Sequence, residues 1–460
     1  MPLARTPEAE IDEAPSRGQR LTGGLSRLLS RYGAAAGALG VRLGAAGLAY
    51  ILQIVLARAL GAADYGTFSF AWSLVTIGGF LATLGFGQIA VRFLAQYQQA
   101  GQHGLARGFL RMGLMATFFG SLTMAGLAII CSPVIEAGYG HLCSTVLGIG
   151  LIALPFFALT DFMEGVARSQ GWTIRALVPP YLVRQGAIIV LVVLATLAGG
   201  GRMNAETAMF AALSATITAM LVQAALLVND VDRIFPPADL LTDIAEWRAA
   251  AIPTLLSDLA LLARQNIDLI VLGLLAPAAS VGLYFAATRL ASLLGLIDFA
   301  VGAAFGHRFA RVHDATADPR ALAPVYAEAR RLTFLPGLAA AVLLMALAPL
   351  ILRLFGPEFE IAVLPTRILL LAGALKLALG PAEDMLNMAG HPESVWRANA
   401  VGALVMAILC LLLARDLGPV GAALSVMAGT CATLVMLTVA FRRHLTFWPF
   451  VSGSRQEKAG

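Results

Sequence analysis

The sequence predicts an all-α membrane protein, a polytopic bundle of about twelve transmembrane helices, and two observations support this fold class. Hydrophobic residues make up 59% of the 460 residues and charged residues only 13%, with a mean hydropathy of +0.80. So little polar surface could not coat a soluble protein of this length. Apolar stretches of about 20 residues, the length that crosses a hydrocarbon core of about 30 Å, recur along the chain between short polar turns.

These stretches place the predicted spans in order. They are residues 40–59, 68–91, 109–131, 142–163, 177–198, 206–228, 250–275, 282–305, 332–354, 362–387, 397–414 and 419–440. Residues 1–32 mix acidic residues with arginines and lack the early apolar core of a signal peptide, so they are expected to form a disordered cytoplasmic tail. Residues 446–460 are expected to form a second tail.

Basic residues indicate the orientation of the spans. They lie before span 1, in every second short loop and after span 12, as with Arg107 and Arg111, Arg168 and Arg175, Arg308 and Arg311, and Arg442 and Arg443. Cytoplasmic loops retain Lys and Arg, so both termini are predicted to be cytoplasmic in a cell membrane, the inner one in a Gram-negative cell. The net charge of +5 reflects this bias, and without a basic domain it does not indicate nucleic acid binding.

The sequence repeats a pattern after about half its length. The segment at 60–74 parallels 276–290, which aligns Gly66 with Gly282, and the segment with Glu164 and Gly171 parallels that with Glu383 and Gly390. An even number of spans per repeat would relate the halves by an axis along the membrane normal. We therefore expect a six-helix lobe at 33–229, a cytoplasmic linker at 230–248 and a second six-helix lobe at 249–445.

Charged and polar residues inside the spans are the candidate binding residues. A charge at the centre of a span costs about 2.5–3.5 kcal/mol on insertion scales unless it faces protein or water. The candidates for the wall of a polar cavity are Arg184, Asp258, Arg264, Gln265, Asn266, Asp268, Arg289, Asp298 and Lys376. The guanidinium of Arg184 would suit a phosphate, because it offers a planar fork of donors.

Span 7 carries most of these candidates. Arg264 and Asp268 are four residues apart and can pair on one helix face. Asp258 and Gln265 are seven residues apart and also share a helix face. The group would either line a cavity or form a buried ion pair that locks span 7 to its neighbours. Near the predicted cytoplasmic ends of spans 4 and 10, four acidic residues are expected to reach water: Asp161, Glu164, Glu383 and Asp384.

The absence of certain sequence motifs argues against several functions. The chain contains no GxxxxGK[ST] sequence, so a membrane potential or an ion gradient is the expected source of energy. It has neither a catalytic constellation nor metal-ligand spacing, so no enzyme activity and no cofactor are expected. Cys131 and Cys143 flank a predicted external turn and could form a disulfide or remain free thiols.

One run of sequence carries a family resemblance. Ala57, Arg58, Leu60 and Gly61 end the first span, and Asp64, Tyr65, Gly66 and Phe68 open the second. The stretch 55–97 that contains them resembles the polysaccharide transporter family, the Wzx-type flippases, in the same superfamily as the multidrug MATE transporters and the lipid II flippase MurJ. The segments 266–290 and 347–373 resemble this family again.

The resemblance implies a transporter whose cargo is an undecaprenyl-diphosphate-linked oligosaccharide, moved to the outer leaflet for polysaccharide export. Its partners would be this lipid-linked cargo, membrane lipids and possible polymerase and export proteins. Two alternatives stay open: a MATE-like, ion-coupled drug or metabolite antiporter, and a nontransporting membrane scaffold of polysaccharide assembly. A membrane glycosyltransferase would need a sizeable external loop, whereas the external loops here are short.

Overall fold

Helices account for the architecture of the described chain. The computed structural model describes residues 17–139, 141–200, 203–315 and 321–445, and no β-strand occurs within these ranges. The helices are α1 (Arg17–Ala82), α2 (Phe86–Gln99), α3 (His103–Tyr139), α4 (His141–Ser169), α5 (Thr173–Val178), α6 (Arg184–Ala198), α7 (Ala205–Ile234), α8 (Ile244–Leu275), α9 (Ala278–Ser292), α10 (Gly295–Ala315), α11 (Leu322–Phe355), α12 (Val363–Leu379), α13 (Ala382–Met388) and α14 (Pro392–His444). A π-helical turn (Pro179–Val183) joins α5 to α6, and a 3₁₀ turn (Pro357–Ala362) precedes α12.

The two longest helices are bent at glycines. Gly61 in α1 (φ 71°, ψ 171°) and Gly418 in α14 (φ 52°, ψ −128°) have positive φ angles that side-chain-bearing residues rarely adopt. Each bend divides its helix into two arms that match a pair of predicted spans.

The membrane bundle is confirmed. Within the described ranges, nine helical stretches are long and apolar enough to cross a membrane, and two of them contain these bends. Helix α8, which carries Asp258, Arg264 and Asp268, is not among the nine. The count of twelve spans therefore stays a prediction.

The beginning of the chain differs from the sequence prediction. Helix α1 starts at Arg17, so residues 17–32, expected to be disordered, lie in a helix. This stretch is rich in Leu and Arg, which favour helix, and contains no proline. Residues 1–16 and the predicted tail at 446–460 lie outside the described residues. Cys131 carries a free thiol, and the side chain of Cys143 also lies outside the described part.

The repeat found in the sequence is visible at two helix ends. Gly171 and Gly390 both have positive φ, 70° and 82°. After each glycine, the backbone N–H of the next residue donates five residues back, Trp172 to Ala167 (3.0 Å) and His391 to Leu386 (2.9 Å). This is the bond of a Schellman helix end. The same local structure thus occurs twice at the offset of 219 residues, while the lobe boundaries stay a prediction.

The second arm of α1 packs against α9 through the aligned glycines. A Cβ on Gly66 would overlap the carbonyl oxygen of Ala278, and a Cβ on Gly282 would overlap that of Ala62. These two contacts are reciprocal, since Ala62 and Ala278 are separated by the same 216 residues as the glycines. The buried ring of Tyr65 lies edge-on to Phe285 beside them, with ring centroids 5.9 Å apart.

The loops predicted to be cytoplasmic meet at the other end of the first half. Arg107, near the start of α3, pairs with Asp232 at 2.7 Å, and Arg175, in α5, pairs with Asp230. The indole N–H of Trp247 donates to the hydroxyl of Tyr97 at 2.7 Å. The acidic end of α7 therefore packs on the basic residues of α3 and α5. Which side of the membrane they face stays a prediction.

Replacing Gly66 with alanine tests the close contact of α1 with α9. Because the added methyl group would meet backbone rather than a movable side chain, we expect a loss of about 1–3 kcal/mol, the usual cost of overpacking. Thermal unfolding of the detergent-purified protein measures it. Gly148→Ala is the matched control: no atom lies within 4 Å of its added Cβ. Equal midpoints for the two variants would contradict the packing argument.

Candidate substrate-binding site

A polar cavity of about 180 Å³ lies in the second half of the chain. Helices α8, α10, α12 and α13 and both arms of α14 form its walls. Its charged lining residues are Arg264, Asp298, Lys376, Glu383 and Asp384. Arg264, Asp298 and Lys376 were candidates from the sequence, and the fold brings them together from three separate helices.

A break between α12 and α13 shapes this cavity. Helix α12 ends at Gly380, which has a positive φ of 67°, and Pro381 precedes α13. The break directs Glu383 and Asp384 to the cavity. A Cβ on Gly302 of α10 would overlap a carboxylate oxygen of Asp384, so this glycine permits α10 to approach α13.

Lys376 and Asp298 form an ion pair inside the cavity. The Lys376 Nζ lies 3.1 Å from Asp298 Oδ2, and the two side chains are 43% and 24% exposed. The pair therefore stays accessible from the cavity, and its attraction is stronger than in bulk water because protein surrounds it.

The ion pair that the sequence suggested within α8 does not form. Asp268 instead accepts a hydrogen bond from the hydroxyl of Tyr284 on α9 and is only 8% exposed. The i, i+4 spacing of Arg264 and Asp268 would allow an ion pair. Asp268, however, lies where α8 packs against α9, and Tyr284 of α9 reaches it there. Arg264 lines the cavity and has no carboxylate partner among the described residues.

The other polar residues of α8 have different surroundings. Gln265 is exposed, and the Asn266 amide donates to the Leu262 carbonyl oxygen within the helix at 2.9 Å. Asp258 lies nearer the first half of the chain and contributes to the electrostatic environment of Asp161 on α4. The structure therefore does not gather the α8 candidates into one cavity wall.

A second charged cluster surrounds Arg184. The Arg184 guanidinium lies 4.6 Å from the ring centroid of Phe157 and interacts electrostatically with Glu164 and Asp161. A π-helical turn (Pro179–Val183) precedes Arg184, and the Arg184 backbone N–H donates to the Pro179 carbonyl oxygen. The sequence predicts that Asp161 and Glu164 reach water at the membrane interface. In the structure only 9% of the surface of Glu164 is exposed.

Arg289 lies apart from both clusters, between the halves. Its guanidinium is 4.3 Å from the Phe285 ring centroid. Together with Tyr50 and Gln53 of α1 it lines a cavity of about 190 Å³. Arg289 has an exposed side chain and no carboxylate partner in the described chain. Arg289 lies seven residues after Gly282 and therefore on the same face of α9. It faces the cavity that is next to the close contact of α1 with α9.

The bundle thus holds charged groups in internal cavities of a multi-pass membrane protein, where they face protein or water instead of lipid. The sequence profile of the polysaccharide biosynthesis protein family matches residues 38–305. That match covers more than half of the chain, and the chain belongs to this family. The MatE profile matches residues 253–412. No curated protein matches the sequence of this chain.

Solved structures share the fold at low identity. An inward-facing multidrug resistance MATE family transporter of the MOP superfamily has a TM-score of 0.69 and 16% identity, covering 89% of this chain and 96% of that chain. The lipid II flippase MurJ in an inward closed conformation has a TM-score of 0.66 and 14% identity, covering 88% and 87%. The chain therefore shares the fold of these transporters, and its membership of the polysaccharide biosynthesis protein family confirms the family resemblance.

A third solved structure concerns the charge of the pocket. It is a MOP superfamily transporter from Pyrococcus furiosus, described as having a binding pocket of reverse polarity that suggests a different function. Its TM-score is 0.56 and its identity 15%, covering 88% of this chain and 93% of that chain. Pocket charge therefore has to be argued from the residues of each chain.

The Lys376–Asp298 pair can be tested with a double-mutant cycle. Lys376→Met leaves the Asp298 carboxylate in the cavity without its cation, and we expect a loss of about 1–2 kcal/mol, less than for a fully buried pair. Asp298→Asn should also destabilise, and the double variant should lose less than the sum. Denaturation of the purified protein measures the coupling. Strictly additive losses would show that the two groups do not interact.

Proposed function

We propose that this protein is a flippase for undecaprenyl-diphosphate-linked oligosaccharides and supplies a polysaccharide export pathway. The observation that supports this is the presence of arginines inside the bundle without a carboxylate partner, Arg264 and Arg289. An uncompensated guanidinium within a membrane protein is costly unless water or an anionic ligand reaches it. A diphosphate offers several oxygens to the planar guanidinium fork and suits such sites.

The position of Arg289 suggests where the head group would bind. Its guanidinium is held on the ring of Phe285 and faces the cavity between α1 and α9. Arg184, on the ring of Phe157, would offer a second cation from the first half. A head group between the halves would leave its sugar in the polar space and its lipid tail in the bilayer.

Access would alternate between the two membrane sides. The contact of Gly66 with Gly282 closes the space at the end where α1 bends. The cargo would therefore enter from the opposite end, which the arginine distribution predicts to be cytoplasmic. Separation of the second arm of α1 from α9 would then open the external side.

The cavity of the second half would couple this change to an ion. Lys376 and Asp298 form its ion pair, and Glu383 and Asp384 line the same space. A proton that neutralised Asp298 would release Lys376 from the ion pair. Helices α10 and α12 would then have two arrangements, one with the Lys376–Asp298 pair formed and one with it broken. An ion-coupled transporter requires two such states.

An ion-coupled antiporter of drugs or metabolites is the second candidate. The MatE profile match and the MATE structure favour it, as do the carboxylates Asp298, Glu383 and Asp384. A cationic drug would nevertheless need cavities dominated by carboxylates. The cavity of the second half holds three of them beside Arg264 and Lys376, whereas no carboxylate of the described residues lines the cavity at Arg289. A nontransporting scaffold would tolerate the loss of these arginines.

The flippase proposal is tested in a strain that lacks the protein. Complementation with Arg184→Ala, Arg264→Ala or Arg289→Ala should leave surface polymer at least tenfold below the wild type, since charge-assisted hydrogen bonds contribute about 1.5–3 kcal/mol each. Lipid-linked units should accumulate on the cytoplasmic side. Surface polymer and the accessibility of the precursors to an external probe are the measurements.

Arg415→Ala is the control, because Arg415 is exposed near the bend of α14 and outside the cavities. Immunoblots must show equal amounts of every variant. If the deletion leaves surface polymer and precursors unchanged, the flippase proposal is wrong and the antiporter becomes the leading candidate. If the deletion has a defect that all arginine variants rescue fully, the scaffold is favoured.

A further inference from the structure

A second cationic pocket lies away from the proposed transport path, where the two ends of α14 meet. The start and the end of this bent helix together enclose a cavity of about 440 Å³. His391, Ser394 and Arg397 line it from the start of the helix, and Arg443 and His444 line it from the end. These side chains can bind an anion, and the proposed transport mechanism does not use them.

The histidines and the serine hold the two ends together. The rings of His391 and His444 stack with centroids 4.0 Å apart and an interplanar angle of 28°. Ser394 Oγ lies 3.1 Å from His444 Nε2. The polar edges of these groups line the pocket, so the junction of the two ends is also the wall of a possible binding site.

The pocket has more positive than negative charge. Arg443 is exposed and has no carboxylate partner among the described residues. Arg397 lies 3.4 Å from Glu393, but both side chains are exposed, 63% and 82%, and such a surface pair contributes little. Two guanidiniums therefore face one carboxylate. Arginine forks are well suited to the several oxygens of a phosphate.

One wall of the pocket is apolar and continues along the helix. Met436, Val439 and Ala440 line it, and Val439 and Val435 have 57% and 62% of their surface exposed. These residues precede Arg443 by one to two helical turns, so the apolar strip leads from the cationic pocket into the predicted bilayer. A free phosphate would not contact this strip, whereas an acyl chain would.

We infer that this pocket binds the phosphate of an anionic phospholipid in the leaflet at that end of the bundle. Basic pockets between transmembrane helices at the cytoplasmic side recognise such head groups, and the arginine distribution predicts that side here. The bound phosphate would bridge Arg397 and Arg443 and so fasten the start of α14 to its end. The inference holds for a flippase or an antiporter.

The test compares lipids on the delipidated protein in detergent. Phosphatidylglycerol should form a complex that native mass spectrometry detects, and it should raise the midpoint of thermal unfolding. Phosphatidylcholine should do neither. The Arg397→Gln/Arg443→Gln variant should bind phosphatidylglycerol at least tenfold more weakly, the loss expected for charge-assisted hydrogen bonds. Arg331→Gln, an exposed arginine of α11 outside the pocket, should bind as the wild type does.

Three outcomes would overturn the inference. Equal binding of both lipids, or equal binding by the wild type and the double variant, would exclude a specific head-group site. Inorganic phosphate that stabilises the wild type as well as phosphatidylglycerol does would assign the pocket to free phosphate instead. Arg443→Lys guards against misfolding, because it keeps the charge and should retain part of the affinity.

Discussion

The contact between the backbones of α1 and α9 is the constraint on which the arrangement of the two halves depends. Gly66 and Gly282 bring each helix against a carbonyl oxygen of the other, with no side chain between them. Small residues at a helix crossing allow such an approach in a membrane, where packing rather than water expulsion drives association. The contact is reciprocal, because each glycine meets a backbone carbonyl of the other helix at the same offset of 216 residues.

Below this contact the bundle accommodates its charges in three ways. Lys376 is paired with Asp298, Asp268 accepts a hydrogen bond from Tyr284, and Arg184 and Arg289 lie on phenyl rings. The first two arrangements satisfy the ionised group within the protein. A ring face stabilises a guanidinium by about 0.5–2 kcal/mol. Arg184 also has Glu164 and Asp161 nearby, so Arg289, which has no carboxylate partner in the described chain, is the arginine that still needs a ligand or water.

The sequence predicted the fold class and the repeat well, because both depend on local patterns. Apolar length identified the helices, and Gly171 and Gly390 ended them in the same way. The partners of charged residues were harder to predict, because they depend on which helices touch. Arg264 and Asp268 have a spacing that allows an ion pair. The Asp268 carboxylate instead accepts a hydrogen bond from Tyr284, a residue of another helix. Glu383 and Asp384 looked interfacial until the break at Gly380 and Pro381 placed them at a cavity.

The repeat also explains why charged clusters occur in both halves and why they differ. Glu164 and Glu383 occupy equivalent places near duplicated helix ends, and each lies near basic residues, Arg184 in the first half and Lys376 in the second. The first cluster has an arginine on a ring, suited to a phosphate. The second has a lysine within an ion pair, which protonation of Asp298 would break. Under the proposed function, one duplicated framework would hold the cargo in one half and sense the driving ion in the other, and the shared backbone contact of Gly66 and Gly282 would couple the two halves.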